Sequence, residues 1–139
     1  KEALFMSNEL KIYKCSICGH VVEVLNNGTR PASAKTICCG KEMDLLAPNT
    51  VEASTEKHLP VATFVDENKL SVKVGSAEHP MIEAHYIEWI SVVYGDTIQR
   101  VNLKPGQAPE ATFCICGATN IDVYAYCNIH GLWKSNVAK

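Results

Sequence analysis

Short apolar runs separated by turn-forming residues are the main pattern of the chain from about residue 51 onwards. The run at residues 70–74 alternates apolar and polar side chains, as a strand with one buried face does. Gly95-Asp96 and Lys104-Pro105-Gly106 separate neighbouring runs and predict turns. No stretch carries a sustained helical period with caps at both ends, so we expect an all-β fold. The predicted strands are residues 61–65, 70–74, 86–94, 98–103, 111–116 and 121–126.

Six or seven short strands at this spacing favour an antiparallel sandwich of immunoglobulin-like architecture. We therefore predict a β-sandwich domain at residues 51–139. The segment before it is different, because residues 10–13 and 21–25 are its main apolar runs. So few apolar side chains cannot stabilise a fold without a metal or a covalent link. We predict a small metal-binding domain at residues 1–46.

The connections around the first segment are polar and rich in turn formers. Residues 47–50 contain a proline and predict a linker between the two domains. Residues 26–36 predict a loop, in which Asn27-Gly28 is a tight-turn signal.

Composition and charge exclude several classes of function. The 139 residues are 47% apolar and 20% charged, which is typical of a globular protein. No apolar run has the length of a membrane helix, so we expect no membrane partner. The net charge of -2 and the scattered basic residues offer no surface for nucleic acid. Residues 1–8 lack an apolar region followed by a small-residue cleavage site, so we expect a cytoplasmic protein.

Cysteine is frequent in this chain. Seven cysteines cannot all pair as disulfides within one molecule, and in a reducing compartment metal binding is the more natural use. Cys15-Ser16-Ile17-Cys18 forms a turn that presents two sulfurs to one ion. Gly19 suits the tight backbone of such a turn.

A second pair of cysteines lies at Cys38-Cys39. Neighbouring residues in a strand point in opposite directions, so the backbone must bend before both sulfurs reach one metal. Gly40 supplies the flexibility for that bend. Two disulfides are the alternative to a four-thiolate site, and the spacing does not separate zinc from iron.

Histidines supply a second set of candidate ligands. Four of the five histidines fall in the strand-rich domain, at strand ends and turns, and a cysteine lies three residues before the last of them. A single histidine is more often a hydrogen-bonded polar residue than a ligand, but Cys-x-x-His on one turn presents sulfur and imidazole together. The candidates for a second metal site are His58, His79, His85, Cys127 and His130.

The motifs around these residues resemble desulfoferrodoxin, the two-iron superoxide reductase family. The resemblance runs in order over about residues 12–134, and its last motif is highly specific. The matching segments are Tyr13-Lys14-Cys15-x-x-Cys18-Gly19, Cys38-Cys39-Gly40-Lys41-Glu42-Met43, Glu56-Lys57-His58-x-Pro60, His79-Pro80-Met81, His85-Tyr86-Ile87-x-Trp89-Ile90, Leu103-Lys104-Pro105-Gly106 and Tyr126-Cys127-Asn128-x-His130-Gly131-Leu132-Trp133.

This resemblance implies two iron ions, a substrate and partners. The first domain would be desulforedoxin-like or rubredoxin-like, and a catalytic iron would lie in the second. Superoxide would accept one electron at the second iron and leave as hydrogen peroxide. The electron would come from a rubredoxin-like donor, and the protein would be a homodimer. The implied ligands are Cys15, Cys18, Cys38 and Cys39 for the first iron, and His58, His79, His85 and His130 with axial Cys127 for the second.

Glu56 and Lys57 precede the first histidine ligand. Without the resemblance, a solvated charge pair is the alternative explanation for them. With it, Lys57 is expected to attract and stabilise the superoxide anion, because a cation beside an open metal site suits an anionic substrate. Glu56 is expected to occupy the sixth position of the iron in the ferric resting state.

Other residues near these motifs lie outside the resemblance or add to it. Cys114 and Cys116 do not belong to the family pattern, and we predict that they share one face of a strand as small buried residues. A redox pair is the alternative. Trp89 and Trp133 are expected to pack around the second iron, and His20 to be exposed.

Two other functions remain possible on the sequence. One is an electron carrier in which both irons cycle without substrate chemistry. A carrier would fill the coordination sphere of its metal, whereas five protein ligands leave a position for substrate. The other is a structural zinc module, which does not explain the second set of ligands.

Overall fold

The computed structural model of the chain describes residues 9–139. Residues 1–8, on which the cytoplasmic prediction rests, lie outside the described part. The chain divides into two compact units between Ala47 and Pro48. This division falls within the linker predicted at residues 47–50.

Short strands make up the first unit. They are β1 (Ile12–Lys14), β2 (Val21–Glu23), β3 (Ile37–Cys38), β4 (Lys41–Glu42) and β5 (Asp44–Leu45). Strands β2, β1 and β5 form one antiparallel sheet in that order, and β3 and β4 form a separate hairpin.

The core of the first unit is small. Among its described residues the buried apolar side chains are Leu10, Ile12, Cys15 and Met43. Burial of each side chain of this kind contributes about 1.5–3 kcal/mol, which is too little in total to offset the conformational entropy of ordering the segment. The first unit therefore depends on the cysteine cluster described below.

Seven antiparallel strands build the second unit, which agrees with the predicted six or seven, although the sequence located only six of them. They lie in two sheets, with the orders β10-β7-β6 and β12-β11-β8-β9. The predicted all-β fold with a β-sandwich is confirmed. The strands are β6 (Pro60–Phe64), β7 (Lys69–Val74), β8 (Ile87–Tyr94), β9 (Thr97–Asn102), β10 (Glu110–Cys114), β11 (Asn120–Cys127) and β12 (Gly131–Ala138).

Alternation of apolar residues places the core between the two sheets. In β7 the side chains of Leu70, Val72 and Val74 are buried, and the residues between them are exposed or half-buried. Strands β8 and β11 are central in their sheet and are buried along most of their length. Cys127 belongs to this core cluster, so the sandwich holds one candidate metal ligand rigidly.

Two elements of the second unit are not predicted from the sequence. The helix α1 (Thr55–His58) has four residues, which is too short to leave a helical period. Strand β12 contains Lys134-Ser135-Asn136, which weakens its apolar pattern, but it pairs with β11 along its whole length. No helix in residues 9–139 has the length and apolar character needed to cross a membrane.

The prediction that Cys114 and Cys116 are buried is wrong. Both are exposed, because Phe113 and Ile115 occupy the buried positions of the same segment. Successive side chains of a strand face opposite sides, so only one of these two pairs can face the core. The larger apolar pair gains more from burial and takes those positions.

Candidate metal centres

The first pair of cysteines lies in a tight turn that follows β1. The N–H of Cys15 donates to the carbonyl of His20 at 2.9 Å, and the N–H of Gly19 donates to the carbonyl of Cys15 at 3.0 Å. Gly19 has a φ of 79°, which a residue with a side chain rarely adopts. The N–H groups of Ile17 and Cys18 point at the sulfur of Cys15, at 3.4 and 3.5 Å. His20 itself is exposed, as predicted.

The second pair lies at the turn between β3 and β4. Cys39 has a φ of 55° and Gly40 a φ of 73°, so the chain reverses immediately after Cys38. This is the bend that adjacent cysteines need in order to share a metal, and the prediction of a bend is confirmed. The sulfur of Cys38 lies 3.7 Å from that of Cys18 and 4.0 Å from that of Cys39.

These sulfur positions fit a tetrahedral metal site. A metal–sulfur bond of about 2.3 Å gives a tetrahedron whose sulfurs are about 3.8 Å apart, close to the separations seen here. Sulfurs joined as a disulfide are about 2.05 Å apart, and none of the seven cysteines, all of which lie in residues 9–139, forms a disulfide. The four-thiolate interpretation holds over the two-disulfide alternative. Ligand atoms of Cys15, Cys18, Cys38 and Cys39 all lie within 4.8 Å of one another.

Charge also favours a cation at this cluster. The backbone N–H groups of Cys18 and Ile17 lower the pKa of Cys15 to about 6. The pKa of Cys38 is raised to about 12, because it shares hydrogen bonds with the sulfurs of Cys18 and Cys15. Once one thiol has ionised, its negative charge makes ionisation of the neighbouring thiols less favourable. A bound metal cation offsets this repulsion, so that all four cysteines can bind as thiolates.

Four imidazole rings in the second unit form a closed square. Ring centres are 4.6 Å apart for His58 and His79, 4.6 Å for His79 and His85, 5.0 Å for His85 and His130, and 4.8 Å for His130 and His58. Across the square, the rings of His58 and His85 are 6.2 Å apart. This is the arrangement of four equatorial ligands around one ion.

Backbone carbonyls orient two of these rings. The Nδ1 of His58 donates to the carbonyl of Ser54 at 2.7 Å, and the Nδ1 of His79 donates to the carbonyl of Pro80 at 2.7 Å. These bonds leave the Nε2 lone pairs free for a metal, as in most histidine metal sites. The sequence does not reveal either carbonyl, because a backbone acceptor has no side-chain signature.

The remaining ring nitrogens point at one place. The Nε2 of His58 lies 3.1 Å from the Nε2 of His79 and 3.1 Å from the Nδ1 of His130. The Nε2 of His85 is buried and has no hydrogen-bond partner in the described part of the chain. A buried polar atom without a partner is costly, and a metal bond would satisfy it. Three Nε2 atoms and one Nδ1 atom are therefore the fitting ligand atoms.

Cys127 supplies the sulfur of this second set. It is the last residue of β11, it is completely buried, and its sulfur lies 3.9 Å from the Nδ1 of His130. The N–H of His130 donates to this sulfur at 3.3 Å. The register between β11 and β8 shifts between Tyr126 and Cys127. A shift of this kind changes the direction in which a side chain points. Tyr126 and Cys127, the residues on either side of the shift, are both buried although they are adjacent in the strand.

Burial favours the neutral form of three of these imidazoles. It lowers the pKa of His79 to about 4 and also lowers the pKa values of His58 and His85. A neutral imidazole is the form that binds metal. His58 and His79 are buried and His85 and His130 are half-buried, so the square is accessible beside the last two.

The two tryptophans have different neighbours. The ring of Trp133 stacks on His58 with centres 5.0 Å apart, and its Nε1 donates to the carbonyl of His130 at 3.1 Å. Trp89 stacks on Tyr126 at 5.7 Å. The predicted packing around the metal is therefore direct for Trp133, whereas Trp89 supports the residue before Cys127.

Glu56 and Lys57 are both exposed residues of α1, but their surroundings differ. Burial is the main cause of the low pKa of His85, and the positive charge of Lys57 lowers it further, as it does for His58. The charge of Lys57 is thus felt at the imidazole square. Glu56 contributes to a cavity of about 570 Å³ whose lining residues are Ser54, Thr55, Glu56, Leu59, Val61 and Ser76.

The fold and the two ligand sets define a non-haem iron protein with a four-cysteine module followed by a β-sandwich. The chain belongs to the desulfoferrodoxin family. Residues 50–136 match the family described as Desulfoferrodoxin, and residues 7–46 match that described as Desulfoferrodoxin, N-terminal domain. The two sets of residues are consistent with the two iron sites of this family. In the second set the ligand atoms of His58, His85, Cys127 and His130 all lie within 4.8 Å of one another, and His79 is not part of that tightest group.

Individual relatives support the same assignment. The desulfoferrodoxin of Desulfarculus baarsii is 47% identical over 130 residues, which cover 94% of this chain and 98% of that protein. The superoxide reductase of Pyrococcus horikoshii is 33% identical over 99 residues, covering 59% of this chain and 86% of that protein.

Solved structures show the same fold. The superoxide reductase from Treponema pallidum superposes with a TM-score of 0.71 at 31% identity, covering 91% of this chain and 98% of that one. The superoxide reductase (1Fe-SOR) from Giardia intestinalis superposes with a TM-score of 0.52 at 27% identity, covering 60% of this chain and 99% of that one.

Proposed function

We propose that this chain is a superoxide reductase, which reduces superoxide to hydrogen peroxide with one electron and two protons. The observation that carries this proposal is the closed square of four imidazoles with one buried thiolate. Five protein ligands leave one position of a six-coordinate ion for a small substrate, which an electron carrier would not need. Relatives and structural neighbours named superoxide reductase support the same reaction.

The proposed ligands of the catalytic iron divide the work between them. When bound, ferrous iron supplies the single electron that superoxide accepts. The rings of His58, His79, His85 and His130 would hold this ion through their nitrogens. The thiolate of Cys127 would donate electron density to the ion, and the N–H of His130, which donates a hydrogen bond to this sulfur, would moderate that donation.

Lys57 and Glu56 are the proposed catalytic residues. Lys57 carries its positive charge on α1 beside the imidazole square, where it attracts the anion and stabilises negative charge on it. Glu56 is proposed as a further residue that would hold the iron in its ferric state. Its side chain is exposed and therefore free to change position.

The first unit is proposed to hold a second iron through Cys15, Cys18, Cys38 and Cys39. We assign this iron-binding domain to residues 1–46 and the catalytic domain to residues 51–139. A rubredoxin-like protein is the proposed electron donor, because a small carrier can deliver one electron for each superoxide consumed.

We also propose a cytoplasmic homodimer. Seven cysteines without a disulfide among residues 9–139 suit a reducing compartment. The first unit exposes several large apolar side chains that a second copy would cover. These residues are Ile17, Leu25, Ile37 and Leu45.

The test is to mix the reduced, iron-loaded protein with a known pulse of superoxide and to measure hydrogen peroxide and oxygen. A reductase forms one hydrogen peroxide for each superoxide consumed and no oxygen. A dismutase forms one peroxide and one oxygen from two superoxide ions, and a simple electron carrier does not accelerate superoxide decay. Either of these last two results would contradict the proposal.

A further inference from the structure

The helix that carries Lys57 is held from outside by the loop that follows β7. The carbonyl oxygen of Glu56 accepts the N–H of Ala77 at 2.9 Å and the hydroxyl of Ser76 at 3.3 Å. The N–H of Gly75 donates to the carbonyl of Ala77 at 3.1 Å and closes the loop. One backbone oxygen of α1 is thus bound twice by one short segment.

This outside support is needed because α1 is short. A helix of four residues forms few internal hydrogen bonds and is not stable by itself. Its N-cap residue, Ser54, makes no side-chain capping bond. The N–H of Leu59 donates to the carbonyl of Thr55 at 2.9 Å and closes the single turn. Contacts outside α1, those with the neighbouring loop among them, therefore help to decide where the turn lies.

Gly75 lets the loop approach α1 this closely. A Cβ atom at this position would lie 2.6 Å from the carbonyl oxygen of Glu56 and 2.9 Å from that of Leu59. Real Cβ atoms do not come so near, and both obstacles are backbone atoms of α1 and the residue after it, which cannot rotate away. Any side chain at position 75 must therefore push α1 and this loop apart.

The same loop is tied to the imidazole square. Gly75 follows the buried Val74, whose carbonyl accepts the N–H of His79 at 2.9 Å. His79 in turn lies against His58, the last residue of α1, with their Nε2 atoms 3.1 Å apart. The loop thus fixes α1 relative to the plane of the candidate ligands.

We propose that Gly75 and Ser76 are positioning residues for Lys57. They hold α1 in the position, relative to the four histidine rings, from which the positive charge of Lys57 acts on superoxide at the imidazole square. This inference rests on the proposed superoxide reductase activity. Neither residue touches the substrate. Their effect passes through the carbonyl of Glu56 and the backbone of α1.

The test uses the iron-loaded full chain with Gly75→Ala, Ser76→Ala and Ser76→Thr, and Ser71→Ala on β7 as a matched control. We expect Gly75→Ala to lower the second-order rate with superoxide about tenfold at low ionic strength. We expect Ser76→Ala to lower it about threefold, since one hydrogen bond is lost. Ser76→Thr keeps the hydroxyl and should restore the rate, and the control should match the parent protein.

The decisive readout is the dependence of that rate on ionic strength, together with iron content and the absorption of the histidine–cysteine iron site. A displaced Lys57 gives a shallower salt dependence with iron retained, whereas a residue that only stabilises the fold lowers the unfolding midpoint and leaves the salt dependence unchanged. The second pattern in both Gly75→Ala and Ser76→Ala would overturn the inference. If Gly75→Ala fails to retain iron, the comparison of Ser76→Ala with Ser76→Thr decides.

The parent protein separates this inference from the proposed function. A parent protein without superoxide reductase activity would remove the proposed function. An active parent whose rate and salt dependence are shared by Ser76→Ala and Gly75→Ala would remove the positioning role alone.

Discussion

Lys57 and Glu56 are adjacent in the chain, but they meet different chemistry in the folded protein. The charge of Lys57 reaches the rings of His58 and His85, while Glu56 lines a separate cavity. A helical turn separates consecutive side chains by about 100°, so neighbours on α1 face different directions. We therefore expect substitution of Lys57 and substitution of Glu56 to have different effects on the reaction, although the two residues are adjacent in one sequence motif.

Replacing Lys57 by alanine should slow the reaction with superoxide and weaken its dependence on salt. An exposed charge attracts an anion from a distance, and ions in the solvent screen that attraction. We expect a decrease of about tenfold at low ionic strength, measured by rapid mixing or pulse radiolysis, with iron content unchanged. Lys69→Ala, at the other end of β7 from the loop that holds α1, is the control. An unaltered rate at low salt would make Lys57 an ordinary surface lysine.

Cys114 and Cys116 give a second prediction at this scale. Because both are exposed, replacing both by serine should change the free energy of unfolding by no more than about 0.5 kcal/mol. Tryptophan fluorescence during urea unfolding is a suitable measurement, since Trp89 and Trp133 both lie in the sandwich. A loss of several kcal/mol would show that the sulfurs are core residues after all.

At the scale of elements, the turn after β1 and the turn between β3 and β4 form the first metal site. Each turn depends on backbone in the left-handed region, at Gly19, Cys39 and Gly40. The buried apolar side chains of this unit are few, so metal binding and folding are coupled here. The sandwich has its own apolar core and is expected to fold without the first iron.

Replacing Cys15 by serine should therefore abolish the ferric–thiolate absorption of the first iron while the catalytic iron still consumes superoxide. The reason is that the five candidate ligands of the second iron all lie in the second unit. Absorption spectra, iron analysis and the superoxide rate of the same preparation test this. If the variant keeps the second iron but loses all reductase activity, the assignment of separate roles to the two sites is wrong.

At the scale of the whole molecule, the exposed apolar side chains of the first unit lead to a prediction about assembly. We expect sedimentation at micromolar concentration to show a species of about 30 kDa, twice the 15.2 kDa of one chain. Covering side chains such as Leu25, which is 89% exposed, would supply the driving force. Observation of the 15.2 kDa species alone would refute the dimer.

The amino-acid sequence by itself determined the strands with clear alternation, the sulfur turn at Cys15 and Cys18, and the ligand types of both metal sites. These are local properties, because a strand shows its buried face every second residue and a Cys-x-x-Cys turn brings its own sulfurs together. The family was also recognisable from motifs in their order. Strand β12 and helix α1 were not predictable from the sequence, because β12 has a polar centre and α1 is a single turn.

Only the tertiary structure decided which atoms meet. His58 and His130 are 72 positions apart in the chain, yet their ring nitrogens lie 3.1 Å from each other. Their meeting depends on strand register and on the shifted pairing before Cys127, and neither has a local signature. The exposure of Cys114 was decided in the same way. Phe113 and Ile115 lie on one face of this segment and Cys114 and Cys116 on the other, and only one face can be buried. Burial of the larger apolar pair is more favourable, so the cysteines are exposed.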